Sequence, residues 1–254
     1  MRRALRAAAL AGLVLGCTPP EDAPNKPNAP TPRSTMIIGL DVSGSFRSSG
    51  HFNDALEFAS LYIYAHMKGF HDLRRPTDVF VGTMGGQKSG EAKTFHPIQD
   101  LSGKSPAQIQ ASLRAWFPET DPITDYNAFF ERISVHVQRQ NLTLAPLNII
   151  MFSDGVPDIP GAKGDELYRR IDLKPLEYLS RSVTVRLLYA SPKVAQRWEK
   201  HVPRKRVRLW TQDADVMQGW RRHVVASAQM ERQDSLWSWM KNVVDFRVRR
   251  GKVM

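Results

Sequence analysis

The chain has 254 residues, of which 42% are hydrophobic and 24% charged, and its net charge is +11. This composition is that of an ordinary globular protein with enough apolar material for a core. The one cysteine excludes an internal disulfide. The charge is uneven: residues 197–254 hold fourteen Lys or Arg against six Asp or Glu.

The chain begins with a basic segment, MRRALR, and the ten residues AAALAGLVLG separate it from Cys17. This run is too short to span a bilayer of roughly 30 Å as a helix, and its pattern indicates an export signal. The ending VLGC resembles the bacterial lipobox, although a plain signal peptide with a chance cysteine is the alternative. The resemblance implies that residues 1–16 are removed and that Cys17 is lipidated, which would anchor the chain.

We therefore expect a lipid-anchored protein of the bacterial cell envelope. Thr18, rather than Asp, follows the cysteine, and by analogy with sorting in enteric bacteria this favours the outer membrane over the inner one. Residues 17–34 contain six prolines and little to bury. They are predicted to be an extended tether between the membrane and a folded part.

From Thr35 onward, short apolar runs alternate with amphipathic segments. This alternation predicts a three-layer, Rossmann-like α/β fold, with a mostly parallel sheet flanked by helices on both faces. The predicted strands are 36–40, 78–84, 147–152, 183–190 and 207–210, and the predicted helices are 51–70, 105–117, 125–140 and 191–201. Residues 85–98 are predicted to be a hairpin or loop. The domain is predicted to cover 35–212, followed by a basic, helical segment over 213–254 that packs on it.

Oxygen-bearing side chains stand where these strands end. Asp41, Ser43 and Ser45 follow the first strand in the stretch GLDVSGS, Asp154 follows the strand ending MFSDG, and Thr124 precedes a predicted helix. Loops at the carboxyl ends of parallel strands meet at one edge of the sheet. Hard oxygen donors without Cys or His favour Mg²⁺, with Ca²⁺ or Mn²⁺ as alternatives, and argue against zinc or copper.

This pattern resembles the metal-ion-dependent adhesion site (MIDAS) of the von Willebrand factor type A (vWA) family over roughly residues 35–212. The stretches IIGLDVSGS and NIIMFSDG carry the resemblance. It implies that the five oxygen-bearing residues hold the cation and that an acidic side chain of a protein partner completes its coordination. The residues around Thr124 depart from the family pattern, so Thr120 is a rival ligand. Asp121 and Asp125 would add negative charge, unless Asp125 only caps a helix.

The basic C-terminal segment has two interpretations. It would contact anionic lipid headgroups, or it is a solvated charged face whose tryptophans pack on the sheet. Nucleic acid is not an expected partner of an exported, lipid-anchored protein.

Three functions are consistent with these residues. The favoured one is a non-enzymatic, cation-dependent binding module, and the second is a structural domain of an envelope complex. The third, a metal-assisted phosphatase or hydrolase, is disfavoured. Ser43 occupies the position where a dehalogenase-like phosphatase needs its second Asp, and neither Ser43 nor Ser153 lies in a G-x-S-x-G motif.

Overall fold

The computed structural model describes residues 33–85, 93–118 and 120–246. The predicted signal segment, the lipidation site Cys17 and nearly all of the predicted tether lie outside these residues. Within them the strands are β1 (Thr35–Leu40), β2 (Asp78–Thr83), β3 (His96–Pro97), β4 (Leu147–Phe152), β5 (Val183–Ala190) and β6 (Val207–Asp213). The α-helices are α1 (Gly44–Ser48), α2 (Phe52–Lys68), α3 (Pro106–Trp116), α4 (Tyr126–Arg139), α5 (Asp165–Arg169), α6 (Lys174–Glu177), α7 (Pro192–His201), α8 (Ala214–Gln218) and α9 (Asp234–Trp239). Short 3₁₀ turns lie at Phe70–Asp72, Ile98–Leu101, Gly219–His223 and Met230–Arg232, and Met240–Val244 form a π-helical turn.

The strands form one sheet in the order β3-β2-β1-β4-β5-β6. Strand β3 pairs with β2 in the antiparallel direction, and all other neighbours are parallel. Every residue of β4 except Asn148, and every residue of β5, is buried, as expected for central strands covered on both faces. The predicted mostly parallel α/β fold is confirmed.

Alternate residues of β1 enter two cores on opposite faces of the sheet. Met36, Ile38 and Leu40 pack in one core with residues of α2 and α3, whereas Ile37 packs in the other with residues of α4. Side chains of a strand point alternately to the two faces, so the same strand serves both cores. Helices therefore cover both faces, which gives the predicted three layers.

Gly39 marks a close approach between helix α4 and strand β1. A Cβ atom at this position would lie 2.6 Å from the ring of Phe129 and 2.9 Å from the side chain of Met84. Any side chain here would force the helix or the loop after β2 to move. The helix therefore lies directly on the strand that leads to Asp41.

The four long helices, α2, α3, α4 and α7, begin and end within two residues of their predicted bounds. Three of them start with a side-chain cap, made by Ser105, Asp125 and Ser191. The helices α1, α5 and α6 were not predicted, because four or five residues are too few to show a helical period. The described part of the predicted hairpin or loop contains the short strand β3.

A partly buried acid attaches the end of the C-terminal segment to helix α2. The carboxylate of Asp245 accepts a hydrogen bond from the Tyr62 hydroxyl at 2.5 Å and pairs with His66 at 2.7 Å. Burial by itself raises the pKa of Asp245 and lowers the pKa of His66. Their mutual attraction outweighs burial, so the pKa of Asp245 falls below its ordinary value and that of His66 rises above it. The Arg186 charge lowers both pKa values.

A second buried acid, Asp54, joins α2 to the start of the same segment. Its carboxylate accepts hydrogen bonds from Tyr189 at 2.6 Å and from the Trp220 indole at 3.2 Å, and pairs with Arg221 at 2.8 Å. Trp220 and Trp237 of the C-terminal segment are both buried.

None of the helices in residues 33–85, 93–118 and 120–246 is long and apolar enough to cross a membrane.

Candidate metal site

The predicted ligands lie at the carboxyl edge of the sheet. Asp41 directly follows β1 and Asp154 stands two residues after β4, and these strands are parallel neighbours with Leu40 opposite Phe152. Ser43 is the N-cap of α1, and its hydroxyl accepts the backbone N–H of Phe46 at 3.4 Å. Because a cap residue must leave the helical conformation, the chain changes direction here, and Ser43 and Ser45 stay close to Asp41.

Hydrogen bonds connect four of the five predicted ligands. The backbone N–H of Ser43 donates to Asp41 Oδ1 at 2.9 Å, and the Ser43 and Ser45 hydroxyls lie 3.2 Å apart. The hydroxyl of Thr124 lies 3.4 and 3.5 Å from the two carboxylate oxygens of Asp41. Oxygens from two loops therefore surround a single carboxylate. Their role as metal ligands remains a prediction.

Asp154, the fifth predicted ligand, makes no hydrogen bond to the other four. Its Oδ1 accepts the backbone N–H of Val156 at 3.0 Å. Burial is the main cause that raises the pKa of Asp154 to about 6, and the negative charges of Asp41 and Asp158 raise it further. Burial likewise raises the pKa of Asp41, although hydrogen bonds partly offset the effect. The two carboxylates thus lie within electrostatic range of each other.

A buried hydroxyl that the sequence analysis did not identify as part of the site holds Asp41 in place. Ser153, which is completely buried, donates to Asp41 Oδ2 at 2.5 Å. Its single hydrogen is used there, so the Tyr126 hydroxyl, 2.7 Å away, donates to Ser153. The backbone N–H of Gly155 also donates to Ser153, at 3.0 Å. The position of Ser153 beside Asp154 at the end of an apolar strand was the only signal available in the sequence.

The structure distinguishes Thr124 from its rival Thr120. Thr124 is 1% exposed and lies beside Asp41, whereas Thr120 is exposed and forms no hydrogen bond to Asp41. The backbone N–H of Thr124 donates to Asp158 at 2.8 Å, and its carbonyl accepts the N–H of Asp158 at 3.0 Å. Thr124 also forms a β-bridge with Gly85. These backbone contacts fix the loop although its sequence departs from the family pattern.

The two additional acids of this loop have other partners. Asp121 forms a buried ion pair with Lys93 at 2.6 Å, and a β-bridge joins its backbone to Ser43. Asp125 caps helix α4 by accepting the N–H of Ala128 at 2.9 Å. The interpretation of Asp125 as a helix cap is confirmed. Neither carboxylate is hydrogen-bonded to the predicted ligands.

The oxygen separations fit a hard cation. Ligands at right angles on Mg²⁺ lie about 2.9 Å apart, and on Ca²⁺ about 3.5 Å apart, from their usual bond lengths. The oxygens of Ser43 and Ser45 are 3.2 Å apart, and that of Thr124 is 3.4 and 3.5 Å from the oxygens of Asp41. These separations lie within the range from the Mg²⁺ value to the Ca²⁺ value. Within the described ranges, no Lys, Arg or His forms an ion pair with Asp41 or Asp154. The same residues contain no cluster of three or more His, Cys, Asp or Glu suited to a metal, so any site here depends on hydroxyl ligands.

No family model matches the chain, and neither does any curated protein. Among solved structures, the pilus adhesin SpaC from Lactobacillus rhamnosus GG matches with a TM-score of 0.50 at 12% identity, over 85% of this chain and 31% of the adhesin. Proximal thread matrix protein 1 from the mussel byssus, in a structure with a zinc-occupied MIDAS motif, gives 0.41 at 11% identity over 82% of this chain and 46% of that one. The SpRpn10 VWA domain gives 0.40 at 12% identity, over 81% and 94% of the two chains.

The chain therefore spans about a third of the length of the adhesin it matches. At these identities the likeness concerns the fold alone. The strand order β2-β1-β4-β5-β6, with the motif residues at its carboxyl edge, agrees with the family that the sequence motifs indicate. The chain has a von Willebrand factor type A fold.

Proposed function

We propose that this chain is a membrane-anchored module that binds a protein partner through a divalent cation. Asp41, Ser43, Ser45, Thr124 and Asp154 would hold the cation, with Mg²⁺ favoured over Ca²⁺ or Mn²⁺. The observation that carries the proposal is the cluster around the buried Asp41 carboxylate: the Ser43 backbone N–H and the Thr124 hydroxyl bind it, and the Ser45 hydroxyl lies beside that of Ser43. Fold alone does not determine function, so the support comes from these side chains.

The site opens to solvent on one side. Asp41, Ser43 and Thr124 are buried, Asp154 is partly exposed and Ser45 is exposed. When bound, Mg²⁺ would supply an open coordination position that an acidic side chain of the partner can take. The buried residues would fix the cation from below, while Ser45 and Asp154 lie at the rim where a partner arrives.

Two apolar side chains next to the site are suited to contact with a partner. Ile123, adjacent to Thr124, is 38% exposed, and Val156, two residues after Asp154, is 41% exposed. Apolar contacts around a central polar anchor are typical of protein interfaces. Replacing either residue by Asp should weaken partner binding without abolishing Mg²⁺ binding. Leu144→Asp is the control, since this exposed residue precedes β4 at the opposite edge.

The proposal includes an anchor at Cys17, with residues 18–34 as a tether and the bacterial outer membrane as the favoured location. The basic C-terminal segment would then face anionic lipid headgroups. Cys17→Ser should move the protein from the membrane fraction to the soluble fraction. If this variant still partitions with membranes, the anchor lies elsewhere.

A binding role is proposed in preference to catalysis. Ser153 is buried and donates to Asp41, so its hydroxyl is not presented to a substrate. A structural role in an envelope complex is the alternative. A panel of phosphate esters and peptides would reveal a phosphatase or hydrolase, and turnover that requires Asp41 would overturn the binding proposal.

A calorimetric Mg²⁺ titration tests the cation site directly. Asp41→Ala should abolish binding, because only one carboxylate would remain to offset the cost of dehydrating the ion. Asp234→Ala is the control, since it removes an exposed carboxylate of α9 far along the chain. Unchanged affinity in Asp41→Ala would show that these residues are not the site.

The partner is tested by capture from native envelope in Mg²⁺ and release by EDTA. Capture should disappear in Asp41→Ala and after substitution of the partner's own Asp or Glu residues by Ala. A partner that stays bound in EDTA would support the structural role instead.

A further inference from the structure

A cavity of about 620 Å³ opens at the edge of the sheet opposite the candidate metal site. Its wall includes Ser34 just before β1, Asn148 in β4, Ser182 and Thr184 at the start of β5, and Arg208 in β6. These positions all lie at the amino ends of the strands. The size is that of small-molecule sites, which are about 300 to 1,000 Å³.

The cavity wall carries an excess of positive charge. The acidic residues on it are already paired: Asp72 with Lys241 at 3.3 Å, and Asp245 with His66 at 2.7 Å. Three arginines also contribute to the wall, Arg74, Arg186 and Arg208. None of the three forms an ion pair with a carboxylate in the part of the chain that the structure describes.

Two buried polar groups of the wall lack a hydrogen-bond partner. Arg186 is 6% exposed; its Nη2 donates to the backbone carbonyls of Asp245 and Phe246 at 3.5 and 3.2 Å. Its Nη1 is buried without an acceptor among the described residues, and so is the hydroxyl of Ser34. A buried donor without a partner is costly, and a buried guanidinium more so. An anion in the cavity would offer acceptors to donors of this kind.

We propose that this cavity, defined by Arg74, Arg186, Arg208 and Ser34, binds a phosphate group of a small ligand. Guanidinium groups match the oxygens of a phosphate with paired hydrogen bonds, and hydroxyls supply further donors. Three arginines, of which Arg74 and Arg208 form no ion pair within the described ranges and Arg186 acts on Asp245 only at longer range, suit an anion with more than one negative charge. The inference is independent of the proposed cation site, because no residue is shared.

Calorimetric titration of the whole chain with inorganic phosphate and with pyrophosphate, in buffer without divalent cations, tests the proposal. Arg74→Gln and Arg208→Gln should each weaken binding at least about tenfold, since each removes a hydrogen bond to a charged group. Matched controls are Arg75→Gln and Arg206→Gln, which remove the same charge from exposed neighbours that do not contribute to the wall. Arg186 is left intact, because its burial makes its removal a risk to folding.

A second arm uses vesicles of phosphatidylcholine with or without phosphatidylglycerol. Binding only to the soluble phosphates identifies a soluble ligand. Binding to the anionic vesicles that Arg208→Gln loses and Arg206→Gln retains identifies a lipid headgroup. No binding in either arm, or equal losses in the cavity variants and their controls, would overturn the proposal.

Discussion

Gly155 follows the predicted ligand Asp154, and its substitution by Ala should damage both the fold and the cation site. Its φ of +80° lies in the left-handed region, which costs a residue with a side chain about 1 to 2 kcal/mol. A Cβ atom there would also lie 2.7 Å from Leu187, 2.8 Å from Val194 and 3.1 Å from the Trp198 indole nitrogen. Overpacking of this kind costs about 1 to 3 kcal/mol.

The two contributions add to about 2 to 5 kcal/mol for Gly155→Ala. For a domain of this size the loss corresponds to a fall in Tm of about 4 to 20 °C, measured by calorimetry or urea denaturation. The crowded contact would be relieved by displacing the backbone beside Asp154. We therefore expect the Mg²⁺ affinity to fall at least about tenfold, as for other residues that orient ligands.

Gly161→Ala is a matched control that separates backbone strain from crowding. Gly161 has a φ of +74°, but a Cβ atom there would meet nothing within 4 Å. Its substitution should cost only the conformational part, about 1 to 2 kcal/mol, and leave Mg²⁺ binding intact. Equal destabilisation by the two substitutions would refute the crowding argument, and unchanged Mg²⁺ affinity in Gly155→Ala would refute the link to the site.

The remaining predictions concern buried hydrogen bonds. Ser153→Ala should lower the Mg²⁺ affinity about 10- to 100-fold in calorimetry, because Asp41 loses a donor that orients it; unchanged affinity would contradict this role. The raised pKa of His66 gives stability below pH 6.5 that is lost as the pH rises through the folded value. The lowered pKa of Asp245 gives stability above its ordinary pKa of 3.8 that is lost as the pH falls. The contribution of this pair to the free energy of unfolding should thus be largest between about pH 4 and 6.5. A His66→Gln variant whose stability depends on pH in the same way as that of the unsubstituted protein would contradict this. Asp54→Ala should lower the free energy of unfolding, measured by urea denaturation, by about 1 to 3 kcal/mol, because buried donors lose their acceptor. An unchanged urea midpoint would contradict this prediction.

The fold could be predicted because its signals are local. Helices α3, α4 and α7 each combine an amphipathic period with a side-chain cap at the first turn, and their bounds were predicted within two residues. The apolar runs of β4 and β5 are long enough to identify buried strands. The short helices and the two-residue strand β3 have too few residues to show a period, so their position depends on tertiary contacts.

The support of the candidate site could not be predicted, because its partners are distant in the sequence. Ser153 and Asp41 are 112 residues apart, and Tyr126 is 27 residues from Ser153. The ion pair of Lys93 with Asp121 removes an acid that the sequence offered as an addition to the site. In each case the sequence shows which groups a side chain can bind. Which partner it does bind depends on the loops that the sheet brings together.

The contact at Gly39 bears on the entropy of cation binding. Helix α4, which begins two residues after Thr124, rests on the strand that ends just before Asp41, with no room for a side chain between them. Two proposed metal ligands from distant parts of the chain, Asp41 and Thr124, are therefore brought together when the domain folds, before any ion binds. The freedom lost in aligning them belongs to folding and does not reduce the affinity for the ion. A larger residue at Gly39 would shift that loss to the binding step, so the apolar centre of the sheet helps to set how tightly its polar edge holds a cation.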